Sequence, residues 1–121
     1  MALSVEMITF DCVDPDGLAD WWSKAAGGDV NAVAPGEFVM VTSEGRPALG
    51  FQRVPDPTPG KNKVHLDLSA DDLDAEVDRL LGAGASLVGR RGDDNFRWVT
   101  LADPDGNEFC VADRAESSGL A

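Results

Sequence analysis

The feature that most limits what this chain can fold into is an internal repeat. Sliding the 121-residue sequence against itself by 58 positions places Asp14 on Asp72, Asp20 on Asp78, Phe38 on Phe96, Val41 on Val99, Thr42 on Thr100 and Phe51 on Phe109. Trp22 falls on Leu80 in the same alignment. Identity is sparse, so element order and periodicity carry the duplication. A copy of about 50 residues can cover one face of a sheet with a helix, and the other face then needs a partner.

In the first copy, residues 5–13 alternate, with Met7, Thr9 and Asp11 on one face and Ile8, Phe10 and Cys12 on the other. Asp14 caps a helix over 18–26, after the turn residues Pro15, Asp16 and Gly17. Leu18, Trp21, Trp22 and Ala25 recur at helical spacing, and Gly27–Gly28 ends the element. Strands over 29–33, 37–42 and 48–54 follow, separated by turn residues. The proline-rich stretch 55–60 reads as a stiff linker.

The second copy repeats the order. A strand over 63–69 sets His65, Asp67 and Ser69 on one face, and Asp71 or Asp72 caps a helix with Leu73, Val77, Leu80 and Leu81 on one stripe. Gly82–Ala83–Gly84 ends that helix, and strands near 86–89, 96–101 and 108–112 follow. The tail from Arg114 is polar and expected to fray. The whole predicts one α+β domain over 1–121. It comprises two βαβββ modules, approximately 4–54 and 63–113, with mixed, mainly antiparallel curved sheets around a small-molecule cleft.

Charge narrows the function classes. A formal net charge of −12 argues against nucleic acid and against anionic membranes, both of which need clustered Lys and Arg. A hydrophobic fraction of 43% is still enough to build a core. Met1–Ser4 lacks a basic signal-peptide start, and no run approaches the ~20 apolar residues of a membrane span. Cys12 and Cys110 are too few and too far apart for a disulfide framework or a zinc-finger pattern. The expectation is a cytoplasmic protein with reduced thiols.

Four stretches carry a family resemblance: His65–Leu66–Asp67–Leu68, Asp72–Leu73–Asp74–Ala75, the Gly82–Ala83–Gly84 helix end, and Asp103–Pro104–Asp105–Gly106–Asn107–Glu108–Phe109. Together they resemble the vicinal-oxygen-chelate superfamily of glyoxalase I, bleomycin-resistance proteins, extradiol dioxygenases and methylmalonyl-CoA epimerase. The resemblance implies a glyoxalase-like fold and commonly a homodimer. It does not imply one reaction, because the same scaffold hosts unrelated chemistries.

Metal-using members of that superfamily place ligands on the first and last strands of each module. The matching positions here are Met7, Gln52, His65 and Cys110. Gln52 is placed by its repeat offset from Cys110, and a slip of two would give Gly50 instead. Thioether, amide, imidazole and thiol make a poor oxygen-rich site, so no native metal or other cofactor is expected, with a divalent metal as the alternative.

The function this implies is a metal-independent, glyoxalase- or bleomycin-resistance-like protein that binds a small molecule. Met7, Met40, Gln52, His65, Trp98, Glu108 and Cys110 are the ligand-binding candidates. Met40 and Trp98 are paired by the repeat, and an aromatic such as Trp98 can stack on a planar ligand. Arg90, Arg91 and Arg97 flank the loop before Trp98 and could attract an anion. The alternative is a lyase or isomerase in which His65 works with Asp67 or Cys110, metal-assisted if Gln52 or Glu108 is recruited.

Overall fold

Alternating runs interrupted by one helical stretch dictate the element order of each half. The computed structural model describes residues 5–113; Met1–Ser4 and the tail from Arg114 lie outside the described residues. The elements are β1 (Met7–Cys12), α1 (Pro15–Ala26), β2 (Asp29–Ala34), β3 (Phe38–Thr42), β4 (Ala48–Arg53), β5 (Leu66–Ala70), α2 (Leu73–Gly82), β6 (Ser86–Gly92), β7 (Arg97–Ala102) and β8 (Glu108–Asp113). They fall into two compact units, Met1–Thr58 and Pro59–Ala121, each with the order βαβββ.

Each unit holds one four-stranded sheet, ordered β1-β4-β3-β2 in the first and β5-β8-β7-β6 in the second. The first and last strands of a unit pair in parallel, and the remaining pairs are antiparallel. A parallel pair cannot be closed by a hairpin, so the chain must cross over, and the helix makes that crossover.

The helix starts follow from their caps. Asp14 accepts the Gly17 amide at 3.1 Å and Asp72 accepts the Ala75 amide at 3.1 Å. Helix α1 begins at Pro15, three residues before the sequence expectation, because proline suits the first helical turn, where its missing N–H has no intrahelical partner to lose. In α2, the Arg79 guanidinium donates to Glu76 and holds that carboxyl below its ordinary range.

The buried stripes follow the expected periodicity in part: Ala19 joins the core, while Ala25 and Leu81 are only half-buried. In the first unit Leu18, Ala19 and Trp22 of α1 pack on Val39, Val41, Leu49 and Phe51, with Phe10 stacked 5.0 Å from Phe51. Trp22 is core, whereas Trp21 is half-buried and meets it edge-on. In the second unit Leu73, Val77 and Leu80 bury against β5 and β8, in a core that includes Val99, Leu101, Phe109 and Val111. Each such side chain contributes about 1.5–3 kcal/mol. The opposite face of each sheet carries no helix of its own unit.

Two boundaries differ from the sequence expectation in ways that matter for the site. Strand β5 begins at Leu66 rather than near residue 63, which leaves His65 just ahead of the ladder. Strand β6 runs on to Gly92 rather than ending near residue 89, so Arg90 and Arg91 lie within it.

The Asp103–Asn107 turn sets where β8 starts. Asp103 is 2% exposed, and its carboxylate accepts the Asp105 and Asn107 amides, each at 2.9 Å, and the Asn107 side-chain amide. A carboxylate so deeply buried is tolerated because several donors replace its water. Asp103→Ala should lower unfolding stability by about 2–3 kcal/mol, as measured by urea denaturation. Asp103→Asn should retain part of that.

Candidate functional site

In the second unit the alternation of β5, β7 and β8 sends one set of residues to the helix and the other to the open face. The register then decides which of the open-face residues are neighbours. Asp67 pairs with Cys110, and Cys110 pairs in turn with Thr100. Thr100 Oγ1 lies 3.4 Å from Cys110 Sγ. His65 Nε2 is 3.3 Å from Asp67 Oδ1. One donor atom from each of His65, Asp67 and Cys110 lies within 4.8 Å of the others. Cys110 is half-buried, and His65 and Asp67 are exposed.

A residue that sequence reading overlooked holds this group together. Asn62 Oδ1 accepts the Glu108 amide at 2.8 Å, and its Nδ2 donates to the carbonyls of Val64 and Glu108. One side chain thus replaces the ladder bonds missing upstream of Leu66 and ties the chain leading into His65 to the start of β8. Nothing in the sequence marks Asn62 apart from any other linker asparagine.

Glu108 shares the open face with Cys110, but its carboxylate is near Lys61 Nζ, at 4.0 Å, and it is not in the His65–Asp67–Cys110 group. Trp98 is also on this face, with the Phe96 ring centroid 5.6 Å away. Phe96 is a second aromatic that the sequence expectation did not include.

Met7, Met40 and Gln52 belong to the first unit, and the register there corrects the repeat. Gly50 pairs with Thr9 and Met40, as Cys110 pairs with Asp67 and Thr100. The offset is therefore 58 through the first strand and helix but 60 in the last two strands. Gln52 corresponds to Ala112, Met40 to Thr100, and Trp98 to Phe38. The net two residues come from the second hairpin, where Ser86 to Trp98 spans 12 positions against 9 from Asp29 to Phe38, less one in the stretch before it, 13 positions from Leu73 to Ser86 against 14 from Pro15 to Asp29. The place matching Cys110 thus has no side chain. A Cβ at Gly50 would meet Met7 Sδ and Thr9 Oγ1 at 2.9 Å, so those side chains close over it.

The donors suit some ions better than others. Nitrogen, carboxylate oxygen and thiolate are the ligand types of zinc, while Mg²⁺ and Ca²⁺ want oxygen alone. Bonds of about 2.0–2.3 Å place tetrahedral zinc ligands roughly 3.3–3.8 Å apart, so closing a 4.8 Å triangle needs only side-chain adjustment. The trio fits a zinc-like ion, and Asp67 is the member the ligand count from sequence omitted.

The model of the family described as "Glyoxalase-like domain" matches residues 7–112. The chain belongs to this glyoxalase-like family. Solved structures agree on the fold. A glyoxalase/bleomycin resistance protein/dioxygenase family enzyme from Burkholderia phytofirmans PsJN superposes with a TM-score of 0.76 at 18% identity, covering 89% of this chain and 96% of that one. TnmS3, an antibiotic-binding protein from Streptomyces sp. CB03234, gives 0.70 at 27% identity, covering 93% and 98%. A lactoylglutathione lyase from Agrobacterium tumefaciens gives 0.67 at 18% identity, covering 91% and 92%. Comparison with curated proteins gives no significant match. Among the described residues no helix is long and apolar enough to cross a membrane.

Within this glyoxalase-like chain, Asn62 should reveal its role through hydrogen exchange. Asn62→Ala leaves the Glu108 amide without its acceptor, so that amide should exchange faster while those of β7 keep their protection. Unchanged exchange at Glu108 would show that Asn62 does not hold the start of β8.

Proposed function

We propose that this protein binds a small planar organic molecule on the open face of its second unit and needs no native metal to do so. The observation that carries the reading is the Phe96–Trp98 aromatic pair on the same face as the Thr100–Cys110 contact and the His65–Asp67 pair. Such a surface supplies apolar area for stacking beside a few placed polar groups, which is the usual make-up of a small-molecule site. The 27% identity to an antibiotic-binding protein along nearly the whole chain supports this class of ligand.

A panel of polycyclic aromatic antibiotics, tetracycline included, titrated in buffer with EDTA should move the Trp98 indole N–H resonance saturably. Trp98→Ala should weaken that binding about tenfold, the scale of one lost aromatic stack. A panel that leaves the Trp98 signal unmoved would remove this reading. The expected assembly is a cytoplasmic homodimer, and a monomer mass by light scattering would overturn that part.

The His65–Asp67–Cys110 group favours a second reading, a lyase or isomerase of the glyoxalase type. A zinc-like ion held there would supply Lewis-acid polarisation of a substrate oxygen. In the form of this reading without an ion, the chain's own contribution would be His65 as general base, oriented by Asp67 at 3.3 Å. Under its metal-assisted form, added Zn²⁺ raises the melting temperature saturably, and Cys110→Ala abolishes the rise. Under the metal-independent reading, neither protein responds.

A further inference from the structure

We infer that Arg91 is the anion-binding residue of this open face, and that the molecule bound there is a planar aromatic carboxylate. The inference rests on the reading of the face as a small-molecule site and adds the chemical class of its ligand.

Three arginines lie near Trp98, and the fold treats them differently. Arg97 is 3.5 Å from Asp74 of α2 and so is engaged within the unit. The other two follow a β-bulge in β6, which decides the face each one takes. Leu87 pairs with Leu101, yet Gly89 already pairs with Thr100, so Val88 is the extra residue. An unbroken ladder would turn Arg90 to the open face and Arg91 to the helix side. The bulge reverses them: Arg90 pairs with buried Val99, while Arg91 pairs with Trp98. Bulges commonly re-aim a side chain in this way.

Gly89 then lets the guanidinium lie down. A Cβ at this position would sit 3.0 Å from both Cζ and Nη1 of Arg91 and 3.3 Å from Nη2. The Arg91 side chain therefore folds back along the open face, over the residue paired with Thr100. Among the described residues no carboxylate forms an ion pair with it. The nearby Asp93 accepts the Asn95 and Phe96 amides of its own turn.

An unpaired, planar fork of donors beside Trp98 suits a carboxylate attached to an aromatic body, because guanidinium and carboxylate match in two parallel hydrogen bonds. From Gly89 to Cys110 is two strand spacings, roughly 10 Å, which is the length of a two-ring acid. The acidity of the whole chain does not forbid an anion here, since charges beyond about 8–10 Å are largely screened at physiological salt.

The test uses 2-naphthoate and its neutral analogue 2-naphthamide at pH 7, with the full-length protein labelled with 15N. The Trp98 indole and Arg91 side-chain resonances report where each probe binds, and titration yields the ratio of affinities. The wild type should prefer naphthoate roughly tenfold, as expected of a charge-assisted bidentate contact. In Arg91→Gln the ratio should fall towards one. Gly89→Ala should give an intermediate ratio, because Gly89 lies outside the positive-φ region and its new methyl displaces the guanidinium without straining the backbone.

Equal affinities in the wild type, or an unchanged ratio in Arg91→Gln, would overturn the inference while leaving the small-molecule reading in place. An unchanged ratio in Gly89→Ala would remove the glycine's part in it. If neither probe moved the Trp98 signal, the inference would fall, and the antibiotic titration would decide the small-molecule reading separately.

Discussion

The parallel contact between the first and last strand of each unit is the constraint on which the rest depends. In the second unit it joins β5 to β8, and in the first β1 to β4. Parallel strands require a crossover, and the crossover helix covers one face of the sheet. Apolar residues on that face, such as Phe109 and Val111, form the core with Leu73, Val77 and Leu80. The same pairing sets Asp67 beside Cys110 on the other face, two residues 43 positions apart in sequence whose chemistry then becomes shared. Fold and site are two faces of one strand pair.

The two units show how one scaffold can be given different chemistry. At matching register positions the first unit has Met7, Thr9, Gly50 and Met40, where the second has His65, Asp67, Cys110 and Thr100. The first set closes over its glycine and offers little charge or donor strength. The second gathers imidazole, carboxylate, thiol and hydroxyl. A glycine serves in both, letting Met7 lie over Gly50 and the Arg91 guanidinium over Gly89. In each case the missing Cβ makes room for a long side chain from a nearby residue.

The segment most responsible for the family resemblance, Asp103–Asn107, contributes no reacting group. Its Asp103 is occupied by turn amides, and Asn62 completes the same corner by holding Glu108. Both residues act by positioning the start of β8. The most recognisable residues of the chain are thus structural, and the candidate chemistry lies on strands whose sequences are ordinary.

Alternation and helical spacing were readable from the chain because each element's buried face repeats with a fixed local period. Cys12, Phe10, Trp22, Leu73 and Val77 fall where those periods put them, and so do the two βαβββ orders and the caps at Asp14 and Asp72. The aromatic Trp98 and the pair His65 and Asp67 could be placed on a face for the same reason. Which residues of different strands stand side by side was not readable, because register depends on hairpin lengths and bulges that leave the local period intact. The change of offset from 58 to 60 displaced Gln52 in favour of Gly50, and the extra residue at Val88 exchanged the faces of Arg90 and Arg91. The sequence by itself determined the elements and their faces; only the tertiary structure, through register, decided which side chains meet.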